Sequence, residues 1–119
     1  METGHEDDPK KTRVLVLGGT GFIGQHAVAA LHARGCRVTI GSRRACPDGR
    51  GDSHHHGWRQ ARFETLLVDS AWKTLLEDID VVINCVGILR QRGAETYDRV
   101  HHLAPAALAR ACRSSDVRL

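Results

Sequence analysis

The residues best placed for chemistry are four glycines in the stretch GGTGFIG, which covers positions 18 to 24. They satisfy the spacing Gly19-x-Gly21-x-x-Gly24 and also the looser spacing Gly18-x-x-Gly21-x-x-Gly24. Such a spacing alone is a weak signal. Here an apolar run, VLVL, precedes it and a helix-like pattern follows, which is the setting that a dinucleotide-binding fingerprint requires. The stretch therefore predicts a strand, a tight turn that binds a pyrophosphate, and a helix.

Each glycine has its own task in a turn of this kind. Gly18 and Gly19 allow the chain to turn tightly, and Gly21 lets the backbone approach the phosphates. Gly24 lets the helix lie close to the strand, while backbone N–H groups near the start of the helix point at the anion. The alternative is a glycine-rich turn without a ligand. A triphosphate-binding loop is disfavoured, because no Gly-Lys-Ser/Thr follows.

A second group, Ser42, Arg43 and Arg44, follows the second apolar run and bears on the choice of dinucleotide. In NAD binders an acidic residue at this place accepts a hydrogen bond from the ribose 2′-OH, whereas arginine suits the 2′-phosphate of NADP. No acidic residue lies between the second apolar run and Asp48. Guanidinium groups bind phosphate bidentately. We therefore expect NADP(H) to be favoured over NAD(H). The alternative is that the arginines are solvated loop charges.

Strand and helix patterns alternate along the chain and predict an α/β fold. Such alternation implies right-handed crossovers and a parallel sheet with helices on both faces. We expect the first half of a Rossmann-type doubly wound sheet, with strand order 3-2-1-4 and the start of strand five. Residues 1–12 are expected to form a mobile tail, and residues 13–119 the N-terminal part of one NAD(P)-binding domain with a loop at 45–61. The predicted strands are Arg13–Leu17, Cys36–Ile40, Phe63–Val68, Asp80–Val86 and the start of a fifth at Asp116–Leu119.

Three helices are predicted between these strands. The first starts at Gly21, carries Ile23, Ala27, Val28 and Leu31 on its apolar stripe, and stops at Gly35. A short helix is expected at Ala71–Leu76. The third runs from about Thr96 to Arg113, and Pro105 is expected to kink it or to mark a turn within it. The list of its apolar positions is Val100, Leu103, Ala104, Ala107, Leu108 and Ala111.

Composition excludes several classes of function. The net charge of +3 is dispersed and only 4% of the residues are aromatic, so we expect no nucleic-acid partner. No apolar run reaches the roughly 18 residues of a membrane span, so we expect no membrane insertion and a cytoplasmic location. The four cysteines, Cys36, Cys46, Cys85 and Cys112, form no CxxC pair and predict reduced thiols without a metal. The run His54–His56 lacks the one-face spacing of a metal motif.

The stretch GGTGFIG after VLVL, SRR after the second strand, VD before a short helix, and DVVINCVG together resemble the short-chain dehydrogenase/reductase superfamily. The similarity is greatest to its extended and atypical members, the NAD-dependent epimerase/dehydratase-like proteins. The stretch VINCVGILRQRGAETYDRVHHLAPAALARAC is similar to the branch that includes the NADPH-binding accessory subunit of respiratory complex I. The resemblance covers about Arg13–Leu119.

The resemblance implies a set of cofactor-binding residues. It assigns the glycine turn to the pyrophosphate, the SRR segment to the adenosine phosphate, Asp69 to the adenine amino group, and the end of strand four to the floor beneath the cofactor. Asp69 with Ser70 has an alternative role as a helix cap. The alternative for the residues at the end of strand four is that they are only a buried strand leaving the sheet. The residues so implied are Gly18, Thr20, Gly21, Phe22, Ile23, Gly24, Ser42, Arg43, Arg44, Asp69, Val86 and Gly87.

The resemblance also shows which residues are missing. Enzymes of this superfamily use a Tyr-x-x-x-Lys pair in proton transfer, while hydride moves to or from the nicotinamide. Here the single tyrosine, Tyr97, is followed four residues later by His101. We therefore expect no catalytic residue in this chain and an N-terminal part of a longer epimerase/dehydratase- or reductase-like protein. The alternative is a non-catalytic NADPH-binding module that stabilises or regulates an assembly. Strand four would expose an apolar edge, so we expect self-association through that edge or through exposed helix faces.

Overall fold

A computed structural model describes residues 11–46, 52–53, 56–86 and 102–119. Within them, one sheet has the strand order β3-β4-β2-β1-β5. All pairs are parallel except that β3 runs antiparallel to β4. The four parallel strands follow the order 3-2-1-4, so the prediction of a Rossmann-type half-sheet is confirmed. The strands are β1 (Arg13–Leu17), β2 (Arg37–Ser42), β3 (Asp52–Ser53), β4 (His56–Gln60) and β5 (Val81–Asn84).

Three α-helices connect and cover the strands. They are α1 (Phe22–Ala33), α2 (Asp69–Trp72) and α3 (Ala104–Ser114), and two 3-10 turns lie at Phe63–Thr65 and Thr74–Leu76.

Strand β1 lies at the centre of the sheet and is buried on both faces, as its unbroken apolar sequence requires. Val14 and Val16 face one cluster, which is packed beneath α1 with Val28, Val38 and Ile40. Leu15 and Leu17 face the larger cluster, which contains Trp72 and the apolar side of α3. Alternate residues of one short strand therefore join both cores, and the turn that follows β1 is held from both sides.

The first helix begins and ends close to the predicted positions, and Gly35 follows it with a φ of +85°. Its buried stripe differs from the prediction at one residue. Ile23 is 70% exposed, because the stripe that faces the sheet runs through Gly24 and Val28, with Ala27 and Leu31 beside it. Ile23 therefore adds little to the core and projects from the first turn of the helix.

The predicted third strand at Phe63–Val68 is wrong, and so is the assignment of the whole of 45–61 to a loop. The third parallel strand is β4, which lies inside that segment. The apolar run after it begins as a 3-10 turn, in which Phe63 and Leu66 both enter the core with Trp72. The apolar residues of this run predict a buried strand, but Phe63 and Leu66 are spaced by one helical turn. Strand β4 is polar in sequence because only the two-residue β3 lies beyond it in the described sheet.

The C-terminal segment returns to the sheet. Pro105 lies in the first turn of α3, which follows directly on π-helical residues 102–103. Beyond the helix, the backbone of Arg118 forms a parallel bridge with Val81, on the side of β5 away from β1. The predicted start of a fifth strand is confirmed by this bridge. The part of the predicted third helix before residue 102 lies outside the described residues.

At the N-terminal end, the backbone carbonyl of Thr12 accepts a hydrogen bond of 2.9 Å from the Arg37 N–H. Residue 12 is therefore hydrogen-bonded to the start of β2, and the mobile tail over residues 1–12 stays a prediction. Residues 1–10 lie outside the described part of the chain.

Candidate dinucleotide-binding site

The glycine segment forms a closed turn between β1 and α1. The Gly18 N–H donates a hydrogen bond of 2.8 Å to the Gly41 carbonyl at the end of β2, and the Gly21 N–H donates one of 3.0 Å to the Gly18 carbonyl. Gly18 has a φ of +76°, which a side chain would strain. The backbone of the turn is thus bonded to the neighbouring strand β2 and closed on itself.

Gly24 and Gly21 lack a side chain for different reasons. A Cβ atom at Gly24 would overlap the Gly18 carbonyl oxygen and lie 2.7 Å from the Gly18 carbonyl carbon. The helix therefore packs directly on the turn, as the sequence predicts. A Cβ atom at Gly21 would meet only the Gly18 carbonyl oxygen at 3.4 Å, which is an ordinary contact. The fold needs glycine at position 24, whereas it leaves room for a Cβ atom at position 21.

The N-terminus of α1 is open to an anion. Gly21 is the N-cap residue, no side chain caps this end, and the first turn contains no acidic residue. Backbone N–H groups in such a turn carry partial positive charge and lack helical acceptors. Phe22 is 76% exposed beside this end, and its ring meets His26 edge-on at 5.0 Å. Thr20 is also exposed, so nothing from these side chains closes the turn.

The segment Ser42–Arg44 lies beside this turn, at the end of β2. Ser42 is 7% exposed and its hydroxyl accepts a hydrogen bond of 3.2 Å from the Arg44 N–H. The hydroxyl therefore shapes the backbone turn. Both arginine side chains are exposed. The structure places two guanidinium groups beside the carboxyl end of β2, one strand away from the glycine turn.

Two side chains that the sequence analysis missed hold this segment from β4. The indole N–H of Trp58 donates a hydrogen bond of 2.9 Å to the Arg44 carbonyl. The Gln60 amide donates one of 2.9 Å to the Arg43 carbonyl. Their spacing of two residues within a polar strand is the only signal in the sequence, and the assignment of 45–61 to a loop concealed it.

The carboxyl end of β5 forms the other side of the site. The Cys85 N–H donates a hydrogen bond of 2.9 Å to the Leu17 carbonyl, and a Cβ atom at Gly18 would lie 3.1 Å from the Val86 side chain. The Asn84 side chain accepts a hydrogen bond of 3.0 Å from the Val86 N–H. The end of β5 therefore stays bonded to β1 and lies against the glycine turn, at the carboxyl end of the sheet, where open α/β sheets bind ligands. Gly87 lies outside the described residues.

Asp69 is the first residue of α2 and is partly exposed. It accepts a hydrogen bond of 2.7 Å from the Arg110 guanidinium of α3. The alternative role as a helix cap is not observed, since Val68 is the N-cap residue and no side chain caps this end. The structure therefore connects Asp69 to α3 and leaves part of its carboxylate accessible.

The amino ends of the strands carry an ion pair between Arg13 and Asp80. The Arg13 guanidinium binds both carboxylate oxygens of Asp80, at 3.1 and 2.8 Å, and the Arg13 backbone N–H adds a bond of 2.9 Å. The side-chain bonds, with the backbone bond second, lower the pKa of Asp80 from 3.8 to about 2. This pair joins β1 to β5 at the edge of the sheet opposite the glycine turn.

Two other kinds of site have no support in the described residues. Residues 11–46, 52–53, 56–86 and 102–119 include no group of three or more histidine, cysteine or acidic side chains that could hold a metal ion. The same ranges contain no helix that is long and apolar enough to cross a membrane. The predicted histidine run is largely outside them, at positions 54 and 55.

Fold and turn together define a Rossmann-type domain. The model of the NAD dependent epimerase/dehydratase family matches residues 14–119, so the chain belongs to this family.

Known relatives agree with that assignment. The chain is 31% identical over 109 residues to a ceramide reductase of Caulobacter vibrioides, covering 88% of this chain and 32% of the relative. It is similar in structure to a UDP-glucose 4-epimerase of Thermus thermophilus in complex with NAD, with a TM-score of 0.69 and 23% identity over 89% of this chain and 35% of that one. It is also similar to the enzyme WbmH of Bordetella bronchiseptica in complex with NAD+, with a TM-score of 0.68 and 16% identity over 90% of this chain and 37% of that one. The chain thus spans about a third of the length of these relatives.

Proposed function

We propose that this chain binds the pyrophosphate of a nicotinamide dinucleotide at the glycine turn. The uncapped N-terminus of α1 at Gly21, with no acidic residue in its first turn, is the observation that carries the proposal. It lies where an anion would meet both the helix dipole and backbone N–H donors. Structural neighbours in complex with NAD support the same class of ligand. The proposed contacts are Gly18, Thr20, Gly21, Phe22, Ile23 and Gly24, with Val86 and Gly87 beneath the cofactor.

The second part of the proposal is a preference for NADP(H) over NAD(H). Arg43 and Arg44 are exposed beside the end of β2. The hydroxyl of Ser42 accepts a hydrogen bond from the Arg44 N–H. A 2′-phosphate would gain charge-assisted hydrogen bonds from either guanidinium, whereas a ribose hydroxyl would gain much less. Asp69 is proposed to accept from the adenine amino group with the part of its carboxylate that Arg110 does not occupy.

Within the whole protein, we assign this chain the cofactor-binding role of an epimerase/dehydratase- or reductase-like enzyme. The bound dinucleotide would supply hydride transfer. The residues of this chain bind and orient its phosphates and adenosine. Proton transfer in the superfamily uses a Tyr-x-x-x-Lys pair, and the 119 residues contain no such pair, so we expect binding by this chain without turnover.

Calorimetric titration of the chain with NADP+ and with NAD+ tests both parts. We expect NADP+ to bind more tightly, and Arg43→Gln or Arg44→Gln to weaken NADP+ about tenfold, because each removes a charged hydrogen bond. The affinity for NAD+ should change less than about twofold in either variant. Arg34→Gln is the matched control, since it removes an equal charge from an exposed residue beyond the far end of α1. Binding of neither nucleotide would refute the site, and equal binding of both would refute the preference.

We also propose that a second copy of this chain pairs with the far edge of β5 or with exposed helix faces. In the described residues, Arg118 bridges this edge only at Val81, and Ile83 is half-buried. Unpaired backbone groups at a sheet edge favour pairing with another strand. Solution scattering should show a dimer or larger assembly, and a monodisperse monomer would contradict it. A cytoplasmic location is proposed as well, since none of the four cysteines forms a disulfide and reduced thiols are typical of a reducing compartment.

A further inference from the structure

The turn that carries the two arginines is held by side chains of the neighbouring strand. Three hydrogen bonds fix its backbone: Ser42 accepts from the Arg44 N–H, Gln60 donates to the Arg43 carbonyl, and Trp58 donates to the Arg44 carbonyl. Both carbonyl groups bonded from β4 belong to the residues whose guanidinium groups are proposed to bind phosphate. The backbone from which both arginines project is therefore bonded at each residue.

The strand register explains why β4 can do this. Trp58 is paired with Ile40 and Gln60 with Ser42, in parallel register. Trp58 and Gln60 are two residues apart, so their side chains leave the same face of β4. Trp58 packs against the cluster beneath α1, which fixes its ring and directs the indole N–H at the turn. Arg59, between them, serves a different turn and donates to the carbonyls of Leu75 and Glu77.

From this arrangement we infer that Trp58 and Gln60 are positioning residues for nucleotide selection. By holding the Arg43 and Arg44 carbonyls, they restrict the backbone from which both guanidinium groups extend. Ordering two long side chains on a mobile turn would cost conformational entropy upon binding, and a turn that is already fixed avoids part of this cost. The inference rests on the proposed preference for NADP(H). It adds that the selectivity depends on two residues that touch no phosphate.

Two substitutions remove the donors with little change in shape. Trp58→Phe keeps an aromatic ring against the cluster and loses the indole N–H. Gln60→Met keeps the length of the side chain and loses the amide. The matched control is Trp72→Phe, because the indole N–H of Trp72 also donates to a backbone carbonyl, that of Leu66, at 3.0 Å within the other core.

The probes are adenosine 2′,5′-bisphosphate and 5′-AMP, which differ only in the 2′-phosphate and do not engage the nicotinamide part of a site. We expect each β4 variant to weaken the bisphosphate about fivefold, as the loss of one hydrogen bond allows, and to change 5′-AMP by less than about twofold. Amide hydrogen exchange at Arg43 and Arg44 in the free chain should become faster in both variants. Trp72→Phe should lower the melting temperature and leave the ratio of the two affinities unchanged.

The outcomes separate this inference from the proposed function. A wild-type chain that prefers the bisphosphate, together with β4 variants that keep the same ratio, overturns the positioning role alone. If wild type shows no preference, the proposed selectivity for NADP(H) fails and the inference fails with it. A loss of preference in Trp72→Phe equal to that in Trp58→Phe would also overturn it, because the effect would then reflect general destabilisation.

Discussion

The amino and carboxyl ends of the parallel strands differ in how their charged side chains are arranged. At the amino ends of β1 and β5, Arg13 and Asp80 are bonded to each other through four hydrogen bonds, two between the side chains and two that involve backbone groups. At the carboxyl ends, the Arg43 and Arg44 side chains are exposed and the N-terminus of α1 has no side-chain cap. The Arg13–Asp80 pair joins two strands, whereas exposed arginines beside an uncapped helix N-terminus are suited to an anionic ligand. A similar contrast separates Gly24, where the fold leaves no room for a Cβ atom, from Gly21, where a Cβ atom would make an ordinary contact.

The largest expected effect tests the structural member of the glycine pair. Gly24→Ala would place a Cβ atom against the backbone of Gly18, which has no flexible side chain to yield. We expect the free energy of unfolding to fall by about 3 kcal/mol, as overpacking against a rigid neighbour does. Chemical denaturation followed by circular dichroism measures it. A stability equal to that of wild type would show that α1 can move away from the turn.

Gly21→Ala tests the other member of that pair. Gly21 has a φ of −74°, which alanine adopts, so stability should fall by about 1 kcal/mol or less. Its methyl group would occupy the space where a phosphate approaches, and NADP+ affinity should fall about tenfold or more through lost hydrogen bonds. The two glycine variants, compared in the same denaturation and titration experiments, thus separate fold from binding. Unchanged affinity in Gly21→Ala would place the pyrophosphate elsewhere.

A third prediction concerns the pH dependence of stability from Asp80, at the amino ends of the strands. Because the pKa of Asp80 is lowered from 3.8 to about 2, its contribution to stability is fully present above about pH 4 and is lost as the pH falls towards 2. Asp80→Asn cannot titrate at this position. The difference in unfolding free energy between wild type and Asp80→Asn should therefore shrink over this range, as urea denaturation at several pH values would show. If the unfolding free energies of wild type and Asp80→Asn run parallel across these pH values, the ion pair adds nothing to stability. We expect NADP+ binding by Asp80→Asn at neutral pH to equal that of wild type.

The smallest expected effect concerns the ion pair between Asp69 at the start of α2 and Arg110 of α3. This pair is half-exposed, so removing it should cost only about 0.5 kcal/mol. Arg110→Gln should show that loss with nearly unchanged nucleotide affinity. Asp69→Asn should show the same loss and in addition weaken 5′-AMP about threefold, because a charged acceptor for the adenine amino group is gone. Equal affinities in the two variants would make Asp69 a purely structural residue.

Much of the fold could be predicted from local patterns. The glycine turn, α1, β1 and β2 were found because an unbroken apolar strand, a glycine fingerprint and a helical stripe are local signals. Strand β4 was missed because HGWRQ has no apolar alternation, and Phe63 with Leu66 supplied a stronger but misleading pattern nearby. Short strands beside a sheet edge obtain their stability from backbone pairing, which leaves little trace in the sequence.

The sequence by itself determined the chemistry at hand: glycines that allow close approach, arginines after a strand, and the absence of a Tyr-x-x-x-Lys pair. Tertiary structure decided which of these residues meet. Parallel pairing brings the carboxyl ends of β1, β2 and β5 together, where the Gly18 N–H bonds the Gly41 carbonyl and a Cβ atom at Gly18 would crowd Val86. It also places Trp58 and Gln60 under the arginine turn. Register between strands distant in the chain is set by packing on both faces of the sheet, and no single segment encodes it.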